Sequence, residues 1–218
     1  MTERYVFSTV LASILFLISP AQEKFVTAQF SFSELASPKL TSARFVVDTK
    51  QTQLHWKGSS LFNFNEHSGK VNISKGDLTV EKNVVTSGSI EVDMSTIVDT
   101  DNATMLIDHL KSPDFFDTKK YPTATFKITK VEPISDGRPG QENFSVKGDL
   151  TIKGITNPID FPAKIEVNEK EVRAQGRFII DRTKWNVKFG SGRFFDNLGD
   201  DTISDAIQFN INLYATKQ

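Results

Sequence analysis

The feature that most constrains this chain is a period-2 alternation of apolar and polar residues, repeated in segment after segment. In "TATFKITK" (123–130) Ala124, Phe126 and Ile128 share one side, and Thr125, Lys127 and Thr129 the other. "NFSVKGDLTIKG" (143–154) sets Phe144, Val146, Leu150 and Ile152 against Ser145, Lys147, Asp149 and Thr151. The next segments oppose Ile159, Phe161, Ala163, Ile165 and Val167 to Asp160, Lys164 and Glu166, then Val172, Ala174, Phe178 and Ile180 to Arg173, Gln175, Arg177 and Asp181. The last carries Ile207, Phe209, Ile211 and Leu213 on its apolar side. Successive side chains of a strand point to opposite faces, so each segment has one dry face and one wet face. Stretches near 45–57, 70–81 and 84–95 add further strands, with a phase shift at Gly76 that predicts a bulge.

One segment has a different period. "TDNATMLIDHLKSP" (100–113) spaces Ala103, Leu106, Ile107 and Leu110 as a helix does, with Thr100 or Asp101 expected as N-cap and Pro113 ending the run. Short turns are expected at "EKNV", "GITNP" and "VNEKEV". The reading is an all-β chain of about eight antiparallel strands with one short helix inserted between the fourth and fifth. One-sided alternation fits a sandwich or a closed barrel; closure removes exposed strand edges, and a barrel of about eight strands is either filled or holds one small ligand.

The first residues read as an export signal. Arg4 precedes an uncharged run from Tyr5 to Ile18, and small residues suit cleavage after Ala21 or Ala28. Residues 1–28 are therefore expected to be a signal peptide, 29–43 a linker rich in Ser, Thr and Ala, and 44–218 the barrel domain, in a periplasmic or secreted protein. The 26 basic and 27 acidic residues nearly cancel, which argues against nucleic acid as a partner. With no Cys, the chain has no disulfide, no thiolate nucleophile and no Cys-ligated metal.

Catalytic and metal chemistry find little support. His55, His67 and His109 lack ligand spacing, and surface or hydrogen-bonded roles explain them better. Asp99 and Asp101 resemble the start of a calcium loop, but the Gly and closing Glu of such a loop are missing, so helix capping is preferred. "FGSGRFFDNLGDDTISD" (189–205) is Gly-rich without the strand–helix setting of a phosphate cradle, and reads as a long loop between strands. Asp181 and Arg182 read as an ion pair at a strand end. No catalytic residue, metal or cofactor is expected, and the chain is read as a non-enzyme.

The aromatic content points to binding instead. There are 18 Phe against 2 Trp and 3 Tyr, and Phe has no polar atom to offer water. Phe126, Phe144, Phe161, Phe178 and Phe209 fall on the apolar faces, beside the small residues Gly148, Ala163, Ala174 and Gly176. Large and small residues together suit an interdigitated core and a tube equally. Two loops carry paired aromatics, Phe115-Phe116 and Phe194-Phe195, which suggests a hydrophobic rim.

From about Phe45 onward the chain resembles the YceI-like lipid/polyisoprenoid-binding proteins. The similarity lies in "HSGKV" (67–71), "DHLKSPDFFDTKKYPTATF" (108–126), "VKGDLTIKGITNPIDF" (146–161), "FIIDRTKWNVKFG" (178–190) and "LGDDTISDAI" (198–207). "SSLFNFNEHSG" (59–69) departs from it in its aromatics. The resemblance implies a lipocalin-like barrel, usually periplasmic, whose pore holds a polyisoprenoid or other long-chain lipid. On that basis Phe126, Phe144, Phe161, Ala163, Gly176, Phe178 and Phe209 are expected to line the pore, and Phe115, Phe116, Phe194 and Phe195 its mouth. A homodimer and a transient membrane contact are compatible with this reading; the alternative is a ligand-free interaction module that uses the aromatic rim.

Overall fold

The computed structural model describes residues 42–62, 65–135 and 140–218. The expected leader and all but the last two residues of the expected linker lie outside them; those two, Ser42 and Ala43, open the first strand. The strands are β1 (Ser42–Val47), β2 (Gln53–Ser59), β3 (Glu66–Glu81), β4 (Val84–Asp99), β5 (Thr123–Pro133), β6 (Phe144–Ile152), β7 (Ile155–Val167), β8 (Glu171–Asp181) and β9 (Ala206–Lys217). One α-helix, α1 (Thr104–Lys111), lies between β4 and β5, and 3-10 turns occupy Arg182–Trp185 and Gly199–Asp201.

The nine strand segments form eight antiparallel staves of a closed barrel. β1 and β2 run in line between β3 and β9: β1 pairs the end of each and β2 an earlier part. The loop between them is held by Asp48, whose carboxylate accepts the Lys50 and Gln51 amides at 2.9 and 3.1 Å. The other staves follow chain order from β3 through β9. The β3–β4 ladder shifts register between Ile73 and Lys75, just before the expected position at Gly76, and again near Lys70 and Thr79. Such bulges bend long strands into the curvature that closure needs.

Strand direction sorts the connections. At the lower end β3 and β4 turn tightly through Lys82 and Asn83, both left-handed at φ 50° and 62°. The upper end carries the long connections: α1 with residues 112–122 after β4, and residues 182–205 after β8. The expected turn at "GITNP" is displaced to Lys153 and Gly154, since Ile155 already begins β7. The expected cap of α1 is also corrected. Ala103 occupies the N-cap position without a side-chain bond, while Asp99 Oδ1 accepts the amides of Asp101 and Ala103 at 3.0 and 3.2 Å. A buried carboxylate at the end of β4 thus satisfies the loop amides that lead into the helix.

Two apolar clusters fill the two ends. The lower contains Phe45, Val47, Leu78, Val80, Val85, Val172 and Ala215; the upper contains Trp56, Met94, Ile97, Leu110, Phe115, Phe116 and Trp185. Val92, Ile159, Phe178 and Ile211 pack against both and join them along the barrel axis. No helix among the described residues is long and apolar enough to cross a membrane.

Candidate functional site: an apolar cavity inside the barrel

The inward faces leave a cavity of about 650 Å³. Its wall takes Leu54 and Trp56 from β2, Ala124, Phe126 and Ile128 from β5, Val146, Leu150 and Ile152 from β6, and Ile159, Phe161, Ala163 and Ile165 from β7. β8 adds Val172, Ala174, Gly176 and Phe178, and β9 adds Ile207, Phe209, Ile211 and Leu213. The alternating pattern is therefore the cavity wall itself. Of the two readings open from sequence, tube and filled core, the structure has the tube.

A row of aromatic rings crosses the wall. Phe126 lies 5.8 Å from Phe161, Phe161 stacks on Phe178 at 4.7 Å, and Phe178 on Phe209 at 5.3 Å. Ala163 and Gly176 pair across β7 and β8 beside this row, and a Cβ on Gly176 would meet Phe161 Cε2 at 2.9 Å. The missing side chain there leaves room for the ring. Gly148 is different: a Cβ would meet Phe126 Cζ and the Lys127 carbonyl oxygen, each at 2.5 Å, so the Phe126 ring covers it and it does not reach the cavity. Phe144 pairs with Ala163 and packs on the lower cluster without bounding the cavity.

The wall has a seam. The β7–β8 ladder runs only from Ala163 paired with Gly176 to Val167 paired with Val172. Above it the two strands are bridged by the Phe161–Phe178 stack and by the Arg182–Trp185 turn. Asn157 Nδ2 donates to the Lys184 carbonyl and Trp185 Nε1 to the Leu150 carbonyl, both at 3.0 Å. Trp185 is 1% exposed and serves as the plug.

Phe115 and Phe116 do bound the cavity, but they are not an exposed rim: their exposures are 4% and 8%. The loop folds back because Phe116 N donates to the Leu110 carbonyl at 3.1 Å and Lys153 Nζ to the Phe115 carbonyl at 2.7 Å. Phe194 and Phe195 are each 47% exposed and do not bound this cavity; Lys188 Nζ sits 4.6 Å from the Phe194 ring. The two aromatic pairs thus occupy different environments, one inside and one on the surface.

Polar groups gather at the upper end. Arg182, 1% exposed, donates from Nε, Nη1 and Nη2 to the carbonyls of Ser204, Val187 and Ile203 at 3.0, 2.8 and 3.2 Å. Its guanidinium lies 5.4 Å from the Phe115 ring and 3.4 Å from Asp205 Oδ1, an ion pair without hydrogen-bond alignment. Burial draws its pKa down, with Asp205 and then Asp181 opposing the shift. The expected Asp181–Arg182 pair is corrected: Asp181 instead binds Arg193 Nη1 at 2.8 Å and the Thr183 hydroxyl at 2.6 Å. Neighbours along a strand end face opposite ways, so each finds its partner across the loop. Burial opposes the Asp181 charge, yet Thr183 and Arg193 outweigh it and hold the carboxyl below its ordinary range.

Sequence reasoning did not single out Trp56, His67 and His109 as wall residues, although all three bound the cavity. Trp56 was legible in principle, since it alternates with Leu54 in "QLHWKGS". His109 enters only because α1 caps the barrel, where its ring meets Phe115 at 5.7 Å and Phe189 at 4.4 Å. His67 Nδ1 lies 3.4 Å from the buried Asp99 Oδ2. Among the described residues no group of three or more His, Cys, Asp or Glu is placed to hold a metal ion.

A family model described as a YceI-like domain matches residues 45–215. A UPF0312 protein of Vibrio vulnificus (strain YJ016) is 33% identical over 125 residues, 56% of this chain and 63% of the relative. One of Shewanella denitrificans is 29% identical over 132 residues, 60% of this chain and 66% of the relative. The matched region thus spans less than two thirds of these relatives. BcnA of Burkholderia cenocepacia superposes with a TM-score of 0.58 at 23% identity, covering 78% of this chain and 99% of that one. A polyisoprenoid binding domain from Saccharophagus degradans superposes with a TM-score of 0.59 at 11% identity, covering 82% and 100%. Both show the same fold.

Proposed function

The chain belongs to the YceI-like family, and on that premise we propose that it is a binding protein, carrying or sequestering a long-chain isoprenoid or similar amphiphilic lipid inside the barrel. The observation that carries this reading is the cavity of about 650 Å³, bounded over most of its length by apolar side chains from the strands. Pockets of about 300–1,000 Å³ suit small-molecule ligands. Burial contributes roughly 0.8 kcal/mol per methylene, so each five-carbon unit contributes roughly 4 kcal/mol gross. Lost chain freedom offsets much of that, and two or three buried units bring binding into the micromolar range. The polyisoprenoid named for the Saccharophagus domain is consistent with such a cargo.

The proposal includes export to the periplasm or beyond, supported by the leader pattern of residues 1–28. It also includes a transient membrane contact during loading. Leu61, Phe62, Phe194 and Phe195, 51%, 60%, 47% and 47% exposed, support that contact from the loops at the upper end.

Native mass spectrometry of protein purified from an exporting host, followed by organic extraction, tests the cargo. A stoichiometric isoprenoid or comparable lipid is the expected result. A folded, empty protein that also refuses added prenyl lipids overturns the proposal.

A further inference from the structure

The upper end of the cavity differs in chemistry from the rest. Trp56 Nε1, Ser60 Oγ and His109 Nε2 are buried polar atoms without a hydrogen-bond partner, and all three residues bound the cavity, as does His67, whose Nδ1 faces Asp99 Oδ2 at 3.4 Å. They come from β2, the residue that follows it, the start of β3 and α1, elements that converge at one end of the barrel. Buried polar atoms are nearly always satisfied, because each one left alone costs about 1–3 kcal/mol. Three such atoms around one end of a ligand cavity mark a place for hydrogen-bonding ligand atoms. Trp56 Nε1 only donates, whereas a hydroxyl and neutral imidazoles each donate and accept.

The charge at this end is equally informative. Among the described residues bounding the cavity, Arg182 is the sole Lys or Arg. Its three donor nitrogens are engaged with the Ser204, Val187 and Ile203 carbonyls, and Asp205 stands beside it. The acid Asp201 also bounds the cavity here, on an exposed turn. A phosphate or diphosphate head needs free cations or a row of amide donors, and it would meet a carboxylate instead. Taking such a multiply charged head out of water without pairing it is costly.

Resting on the reading that the barrel holds a long isoprenoid, we propose that its upper end is a subsite for an uncharged, oxygen-bearing head group. The preferred ligand class is then a long-chain isoprenoid alcohol or a comparably neutral lipid, and not a prenyl diphosphate. The apolar wall holds the chain, and the Trp56, Ser60 and His109 cluster selects the head.

Isothermal titration of the full chain with detergent-dispersed geranylgeraniol and with geranylgeranyl diphosphate tests this. The two probes share one hydrocarbon chain and differ only in the head. The expected result is at least tenfold tighter binding of the alcohol. In the variant Asp201→Asn, the gap is expected to narrow through a gain for the diphosphate. His109→Phe is expected to weaken the alcohol severalfold with the circular dichroism spectrum and the affinity for the headless hydrocarbon phytane unchanged. Equal or tighter binding of the diphosphate by the parent protein overturns the neutral-head subsite while leaving the lipid-tube reading standing. Binding of neither probe nor phytane overturns both.

Discussion

Arg182 shows how much one side chain organises here. It ties residues 187, 203 and 204 to the end of β8 and faces the Phe115 ring from the loop after α1. Arg182→Met is expected to destabilise the fold by roughly 3–5 kcal/mol, since it leaves three buried carbonyls without their donors and Asp205 with Arg193 as its remaining cation; urea unfolding reads this as a lower midpoint. Ala163 poses the opposite case, being small, 3% exposed and part of the cavity wall. Ala163→Phe is expected to fill the tube, costing about 1–3 kcal/mol of overpacking strain. The folded variant is expected to carry no extractable lipid, and retained lipid would count against the tube as the binding site. The Phe126, Phe161, Phe178 and Phe209 row was legible residue by residue, because strand alternation dictates facing. The burial of Phe115 and Phe116 was not, because a loop has no period.

At the scale of elements, the segment between β8 and β9 is pinned by Arg193, which reaches Asp181 at 2.8 Å and Asp205 at 3.3 Å. Asp181 is held below the ordinary carboxyl range in the fold. Its contribution is therefore present above the unfolded-state pKa and lost as pH falls through the lower, folded value. Amides of residues 186–205 are expected to lose exchange protection on acidification from about pH 4 downward, ahead of the barrel strands; uniform protection across that range would show that the ion pairs do not hold the loop. Helix α1 was legible from its spacing, and of the two acids read as capping, Asp99 holds the loop amides from the end of the preceding strand.

For the whole molecule, a ligand that binds the fold and not the unfolded chain stabilises by about 2.7 kcal/mol at a hundredfold excess over Kd. For a domain of this size that is roughly a 5–10 °C rise in Tm. Geranylgeraniol is expected to produce this rise in the parent protein and none in Ala163→Phe, as read by differential scanning calorimetry. An equal rise in both would place the lipid outside the tube. The space for the proposed cargo is the cavity of about 650 Å³ bounded by the inward faces of the staves.

The sequence by itself determined the strands, their inward faces and the helix between β4 and β5, because the period of a pattern acts over a few neighbours. Closure was nearly legible too, since about eight one-sided strands have few ways to hide their edges. Only the tertiary structure decided that β1 and β2 share one stave, that Asp181 and Arg182 take separate partners, and that the interior stays open. Each of these depends on which residues meet across long separations: Phe126 covering Gly148, Phe161 filling the space beside Gly176, and the wall left clear between them. Local alternation specifies which way a side chain points; only the packed barrel sets what it meets there.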